Sequence, residues 1–163
     1  MLYQLLFFLH LVGVSLFLLG HGTSMFLAMA LRRERDPARI RAMLDLSLVS
    51  IGANYVGLLL LIAAGIWMGF IGQFWSNGWI WAALLVLVAT MAFMVFAGVT
   101  YFGPVRVAVG LQPYRHSRQV PLGPLASPVE LDRLLTSWQL TTTMVVGAFA
   151  LLVLLWLMVY KPF

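Results

Sequence analysis

Two imidazoles, His10 and His21, stand inside an apolar run from Leu2 to Leu31 that holds no Asp, Glu, Lys or Arg. Histidine can ligate a metal or a haem iron, move a proton near neutral pH, or make a plain hydrogen bond. On one helix, eleven residues are three turns plus about 20°, or roughly 16 Å along the axis, so both rings point the same way. Gly13 and Phe17 lie close to that stripe, and Met25 follows His21 by one turn. Together His21, Met25 and Met29 place an imidazole and two thioethers at one-turn spacing, a donor set that suits Cu(I).

The rest of the chain offers little other chemistry. No cysteine is present, which excludes a disulfide framework, a thiolate metal site and an iron–sulfur cluster held by the chain's own thiols. Phosphate-binding loops, catalytic triads and paired catalytic carboxylates are absent from the sequence, so the reading leans away from an enzyme. Of the 163 residues 63% are hydrophobic and 9% charged, and the mean hydropathy is +0.99, which makes lipid the solvent of this fold. A net charge of +5 could signal nucleic acid. Its arginines instead gather in two connections between apolar segments, where they act as topology signals, and no nucleic-acid partner is expected.

The elements that must carry the histidines follow from hydropathy and breakers. Helices are expected at about 2–31, 42–70, 79–102 and 128–160, joined by basic connections at 32–41 and 103–127, all in one membrane domain of residues 1–163. The first run lacks a basic n-region and a small-residue cleavage site, which argues against a cleaved signal peptide. Asp45, four residues after Arg41, is expected to pair with it near the interface. Gly103-Pro104 is expected to break or kink the third helix. Ser127, Pro128 and Glu130 form a start signal for the fourth.

Nine arginines lie in the first and third connections and the start of the fourth helix, whereas the turn from Ile71 to Gly78 carries no charge. Basic loops stay cytoplasmic, so the sequence predicts an all-α, up-and-down four-helix bundle with both termini on the extracytoplasmic side. Trp67, Trp75, Trp79, Trp81 and Trp156 fall at the uncharged end, as an interfacial aromatic belt would. The setting implied is the bacterial inner membrane. His116, in the basic connection, is read as an interfacial, solvent-facing residue.

Matching the helices by depth from their outer ends separates the two histidines. His21 falls level with Ser50, Asn54, Thr100 and Thr141 to Thr143, and is expected to hydrogen-bond within that polar layer. His10 falls level with Leu61, Ala63, Leu87 and Leu152, which offer it no obvious side-chain partner within the chain, so that backbone, water, a partner subunit or a cofactor must answer it. The leading cofactor is b-type haem, with His10 as axial ligand and a methionine such as Met68, Met91 or Met94, a partner's residue or an open position opposite. Gly13, Gly20 and Ser24 form a small-residue face for close packing, read as the contact for a partner protein or a second copy.

The opening Phe8-Leu9-His10-Leu11-Val12-Gly13, running on to Gly20 and a basic turn, resembles the first helix of a bacterial family of predicted integral membrane proteins. That family is similar to CopD-like copper-resistance proteins and to HemJ, the haem-containing protoporphyrinogen oxidase. The closing Val159 to Phe163 also resembles the way HemJ chains end. The resemblance covers the four-helix layout over most of the chain and implies that architecture with a vestigial or altered haem site at His10. HemJ-like chains carry lysine and histidine in the third helix, where this chain reads Trp79-Ile80-Trp81-Ala82-Ala83-Leu84, so only the first-helix histidine carries over. The expected function is a non-catalytic accessory or assembly subunit of a respiratory or electron-transfer membrane complex. The alternatives are a haem protein using His10 and a copper-handling protein using His21 and Met25.

Overall fold

The computed structural model describes residues 1–113 and 123–163, and among them every regular element is helical. Helix α1 spans Leu2–Leu31, α2 Pro37–Ile71, α3 Gly78–Ala97, α4 Gly103–Ala108, α5 Pro128–Leu135 and α6 Trp138–Tyr160. A 3-10 turn at Phe74–Ser76 leads into α3, and a π turn at Gly98–Phe102 joins α3 to α4. Four stretches, Leu2–Leu31, Pro37–Ile71, Gly78–Ala108 and Pro128–Tyr160, are long and apolar enough to cross a bilayer. The chain is a multi-pass membrane protein built as the expected all-α bundle. His116 lies outside the described residues.

Local chemistry moves three boundaries from their expected places. α2 starts at Pro37 rather than near Ala42, because Asp36 caps it: its carboxylate accepts from the Ala38 amide at 2.9 Å and Pro37 takes the first helical position. Gly103-Pro104 does not break the third span. The π turn ahead of it, closed by the Gly103 amide on the Gly98 carbonyl, lets Pro104 enter as the first turn of α4, where its missing N–H costs nothing. The fourth span, expected as one helix, divides at Thr136–Ser137, where the Thr136 hydroxyl turns back to the Asp132 carbonyl at 2.8 Å.

Packing is uneven. α1 lies along α2 for most of its length and α3 lies along α6, while contact between the two pairs is sparse and α2 and α3 do not pack along one another. Glycines set the α1–α2 approach. A β-carbon on Gly13 would sit 2.5 Å from the Leu61 amide nitrogen, and one on Gly57 2.6 Å from that of Phe17. Further along, Gly20 meets the Ser50 carbonyl and the Asn54 side chain, and Ser24 and Ser50 share a hydroxyl hydrogen bond of 2.8 Å. The small-residue face expected to receive a partner protein is therefore used inside the chain, against α2.

The end of the bundle that carries the arginines holds a buried core, with Leu31, Ile40, Leu44, Val105, Val109, Leu131 and Leu135 packed together. Arg106, only 6% exposed, donates to the Gln112 carbonyl at 2.8 Å and to the Leu44 carbonyl at 3.4 Å. It also lies 3.9 Å from Asp45, so the carboxylate expected to pair with Arg41 faces Arg106 instead. Arg41 reaches across to the Val109 carbonyl, a partner distant in sequence and invisible to helical spacing. Arg35 joins the α1–α2 turn to α5 through Asp132 at 2.5 Å. At the aromatic end the Trp79 amide donates to the Phe163 carbonyl at 3.0 Å, and Lys161 sits over the rings of Phe74 and Trp79.

Two outcomes test this packing. Gly57→Leu should destabilise the protein in detergent by about 2 kcal/mol or more through overpacking of backbone on backbone. Gly52→Ala, at a site with nothing within 4 Å, should be neutral or slightly stabilising in the same unfolding measurement. In the α1–α2 turn, the backbone amides of Asp36 and Arg35, followed by Arg39, hold the Glu34 carboxyl below its ordinary range. The stability this contributes is present above the ordinary carboxylate pKa and is lost as pH falls through the lowered one. Glu34→Gln should therefore reduce the loss of stability of wild type on acidification, read from unfolding midpoints between neutral and acid pH.

Candidate cofactor cavity

The two histidines end in environments opposite to those that depth matching suggests. His10 is satisfied: its Nδ1 lies 2.8 Å from the Leu61 carbonyl of α2, and since a carbonyl only accepts, Nδ1 carries the proton. The glycine approach makes this bond. Gly65, one turn beyond Leu61, leaves the carbonyl unscreened, and a β-carbon there would press on the His10 ring at 3.2 Å. A list of side chains at that depth, all aliphatic, misses a backbone acceptor bared by a glycine.

His21 is the one left unanswered. Its Nε2 is buried with no hydrogen-bond partner, although Ser50, Asn54 and Thr143 lie in the same layer. Each of those polar groups is engaged elsewhere or turned away. Ser50 bonds Ser24 and the Ser47 carbonyl, Thr143 turns back to the Gln139 carbonyl at 3.0 Å, and the Asn54 Oδ1 is itself unpartnered against Gly20. Thr100 and Thr142 likewise close onto the carbonyls one turn before them, and Thr141 accepts from Arg32. Hydroxyls on helices take the nearest carbonyl, which removes the layer expected for His21.

His21 instead forms part of the wall of a cavity of about 520 Å³ between the two helix pairs. Phe17 stacks on the imidazole with centroids 6.0 Å apart and planes 19° from parallel, which fixes the ring plane. The Nε2 and the Met94 methyl both come up over Gly147 of α6, close enough that a β-carbon there would meet them at 2.8 and 2.7 Å. Met25, Met91 and Met144 also line the space. Tyr55 and Leu48 on α2, Val95 on α3 and Val99 in the π turn line it as well and are exposed, so the gap between α2 and α3 opens sideways toward lipid.

Of the candidate copper residues, the structure brings His21 and Met25 to the cavity wall and leaves Met29 exposed and away from it. Of the candidate second haem ligands, Met91 and Met94 reach the cavity, whereas Met68 is buried near the other end of α2. His10 is not part of the wall. Met144 and Gly147 went unrecognised in the sequence; their three-residue spacing on α6 repeats that of Met91 and Met94 on α3, a pattern that helical geometry could have flagged. No family model matches the chain, and neither a curated protein nor a solved structure matches it.

A pair of substitutions checks the reversed roles. His10→Phe should cost about 1 kcal/mol, the worth of one interhelical hydrogen bond in a membrane. His21→Phe, in protein free of any bound cofactor, should be neutral or stabilising, since it removes a buried nitrogen without a partner. Unfolding of both variants in the same lipid–detergent mixture reads the contrast.

Proposed function

We propose that this protein is a small component of the bacterial inner membrane that holds a b-type haem in the cavity between its helix pairs, as an accessory subunit of an electron-transfer assembly. The observation that carries the reading is a cofactor-sized, methionine-lined cavity with His21 among its lining residues, together with the buried Nε2 of that residue, which has no hydrogen-bond partner. Ligand pockets run from about 300 to 1,000 Å³, and this one falls in that range. Of the residues present, His21 would hold the group through its imidazole, once the Nε2 turns off Gly147 and the Met94 methyl, Met91, Met94 and Met144 would offer thioethers, and the apolar walls would suit a macrocycle. A haem so held would supply one-electron redox chemistry.

The chain's own residues do the positioning. Phe17 holds the imidazole plane, Gly147 gives the His21 ring and the Met94 methyl room against α6, and the opening between α2 and α3 admits a membrane-dissolved molecule without passage through water. Only His21 and Tyr55 among the lining residues carry ionisable side chains, which favours an accessory over a catalytic role. The arginine-bearing end faces the cytoplasm and both termini face outward on the positive-inside argument. Kinship with CopD-like and HemJ-like proteins is part of the same proposal and rests on the sequence resemblance. His10 offers a second site, because its protonated Nδ1 on a backbone carbonyl leaves Nε2 as the lone-pair nitrogen, the orientation that metal-ligating histidines use.

A reduced-minus-oxidised absorption spectrum of the purified, detergent-solubilised protein decides. The expected result is a Soret band that His21→Ala abolishes and His10→Phe leaves in place. A colourless wild type refutes the haem reading, and a band lost only on His10→Phe moves the site to His10.

A further inference from the structure

Tyr55 stands where a membrane span does not ordinarily keep a phenol. It lies on α2, 18 residues after Pro37 and 16 before Ile71, which is about 27 and 24 Å from the two helix ends at 1.5 Å per residue. The hydrocarbon core of a bilayer is about 30 Å thick, so this residue sits near its middle. Tyrosine in membrane proteins gathers at the two interfaces, where its hydroxyl meets water. Here it is 58% exposed, lines the cavity at the gap between α2 and α3, and among the described residues nothing hydrogen-bonds its hydroxyl.

The chain itself offers no remedy. Thr90 and Thr143, which also line the cavity, close on carbonyls of their own helices at 2.7 and 3.0 Å. A phenol cannot do the same, because its rigid ring carries the hydroxyl past the backbone of α2. In hydrocarbon a hydroxyl without a partner is costly, and Leu31, Leu44 and Phe102 close the arginine-bearing end of the cavity. An acceptor for Tyr55 has to arrive through the lipid.

The mouth defines the chemistry of that molecule. It is neutral, since no Asp, Glu, Lys or Arg is among the lining residues. It brings an acceptor to the middle of the bilayer, which excludes the ester groups of phospholipids, held at the interface about 15 Å away. It carries a flat conjugated ring, because Met25, Met91, Met94 and Met144 line the space and thioethers pack favourably on ring edges.

We propose that the gap between α2 and α3 binds an isoprenoid quinone, with a ring carbonyl accepting from the Tyr55 hydroxyl, the ring against the methionines and the tail left in lipid between the two helices. The site does not rest on the haem reading: His21 packs on Gly147 where α1 meets α6, on the side of the cavity away from this mouth.

Calorimetric titration of the detergent-solubilised protein tests this, with decylubiquinone as one ligand and decylbenzene, which has a ring and the tail but no carbonyl, as the other. Saturable binding of the quinone alone is expected. Tyr55→Phe should weaken it about fivefold, the worth of one hydrogen bond in a membrane, and leave the unfolding midpoint of the ligand-free protein unchanged or higher. Val95→Trp, which fills the mouth from α3, should abolish binding, whereas Leu59→Trp, at an exposed position of α2 outside the cavity lining, should leave it intact. Equal binding of decylbenzene, or undiminished quinone binding by Tyr55→Phe, reduces the gap to an apolar groove filled by lipid tails and overturns the proposal. A wild type that binds no quinone overturns it as well. The Soret band judges the haem reading separately, so either reading can fail without the other.

Discussion

Close backbone contact between α1 and α2 is the constraint on which the rest of the molecule depends. In lipid, burying one apolar helix against another gains no hydrophobic energy, so association relies on close packing and on polar bonds across the interface. Gly13 and Gly57 face each other and Gly20 faces Ser50 and Asn54, which brings the two helices near enough for backbone atoms to touch. The Ser24–Ser50 and His10–Leu61 hydrogen bonds form only because of that approach.

The same close pairing shapes the cavity. α1 commits its small residues to α2, and α3 packs along α6, so the two pairs meet through larger side chains and leave space between them. Dense packing returns at the arginine-bearing end, where α4 and α5 fold back on Leu31, Ile40 and Leu44 and close the bundle. The cavity is thus open sideways to lipid, bounded at one end by a tight apolar plug and ringed there by guanidiniums that are mostly matched to carboxylates or carbonyls.

His10 and His21 show how far sequence reasoning reaches. Their shared face and depth follow from helical geometry. The partners did not follow, for two physical reasons. A carbonyl bared by Gly65 is a backbone acceptor that no inventory of side chains contains. Serines and threonines at the level of His21 had carbonyls of their own helix within reach, and those local bonds won over cross-helix ones. Asp45 gives the same lesson, since helical spacing points to Arg41 while the folded chain brings up Arg106.

The sequence by itself determined the solvent of the fold, the number of spans, and the gathering of arginines at one end and of most tryptophans at the other. Hydropathy, charge and breaker residues act locally, and lipid leaves the backbone no regular alternative to helix here. Only the tertiary structure decided which helices pair closely, where the space is left over, and which imidazole is satisfied. Those outcomes depend on the rotation and separation of one helix against another, set by a few glycines meeting across the interface, and a single missing β-carbon moves a hydrogen-bond partner from absent to present.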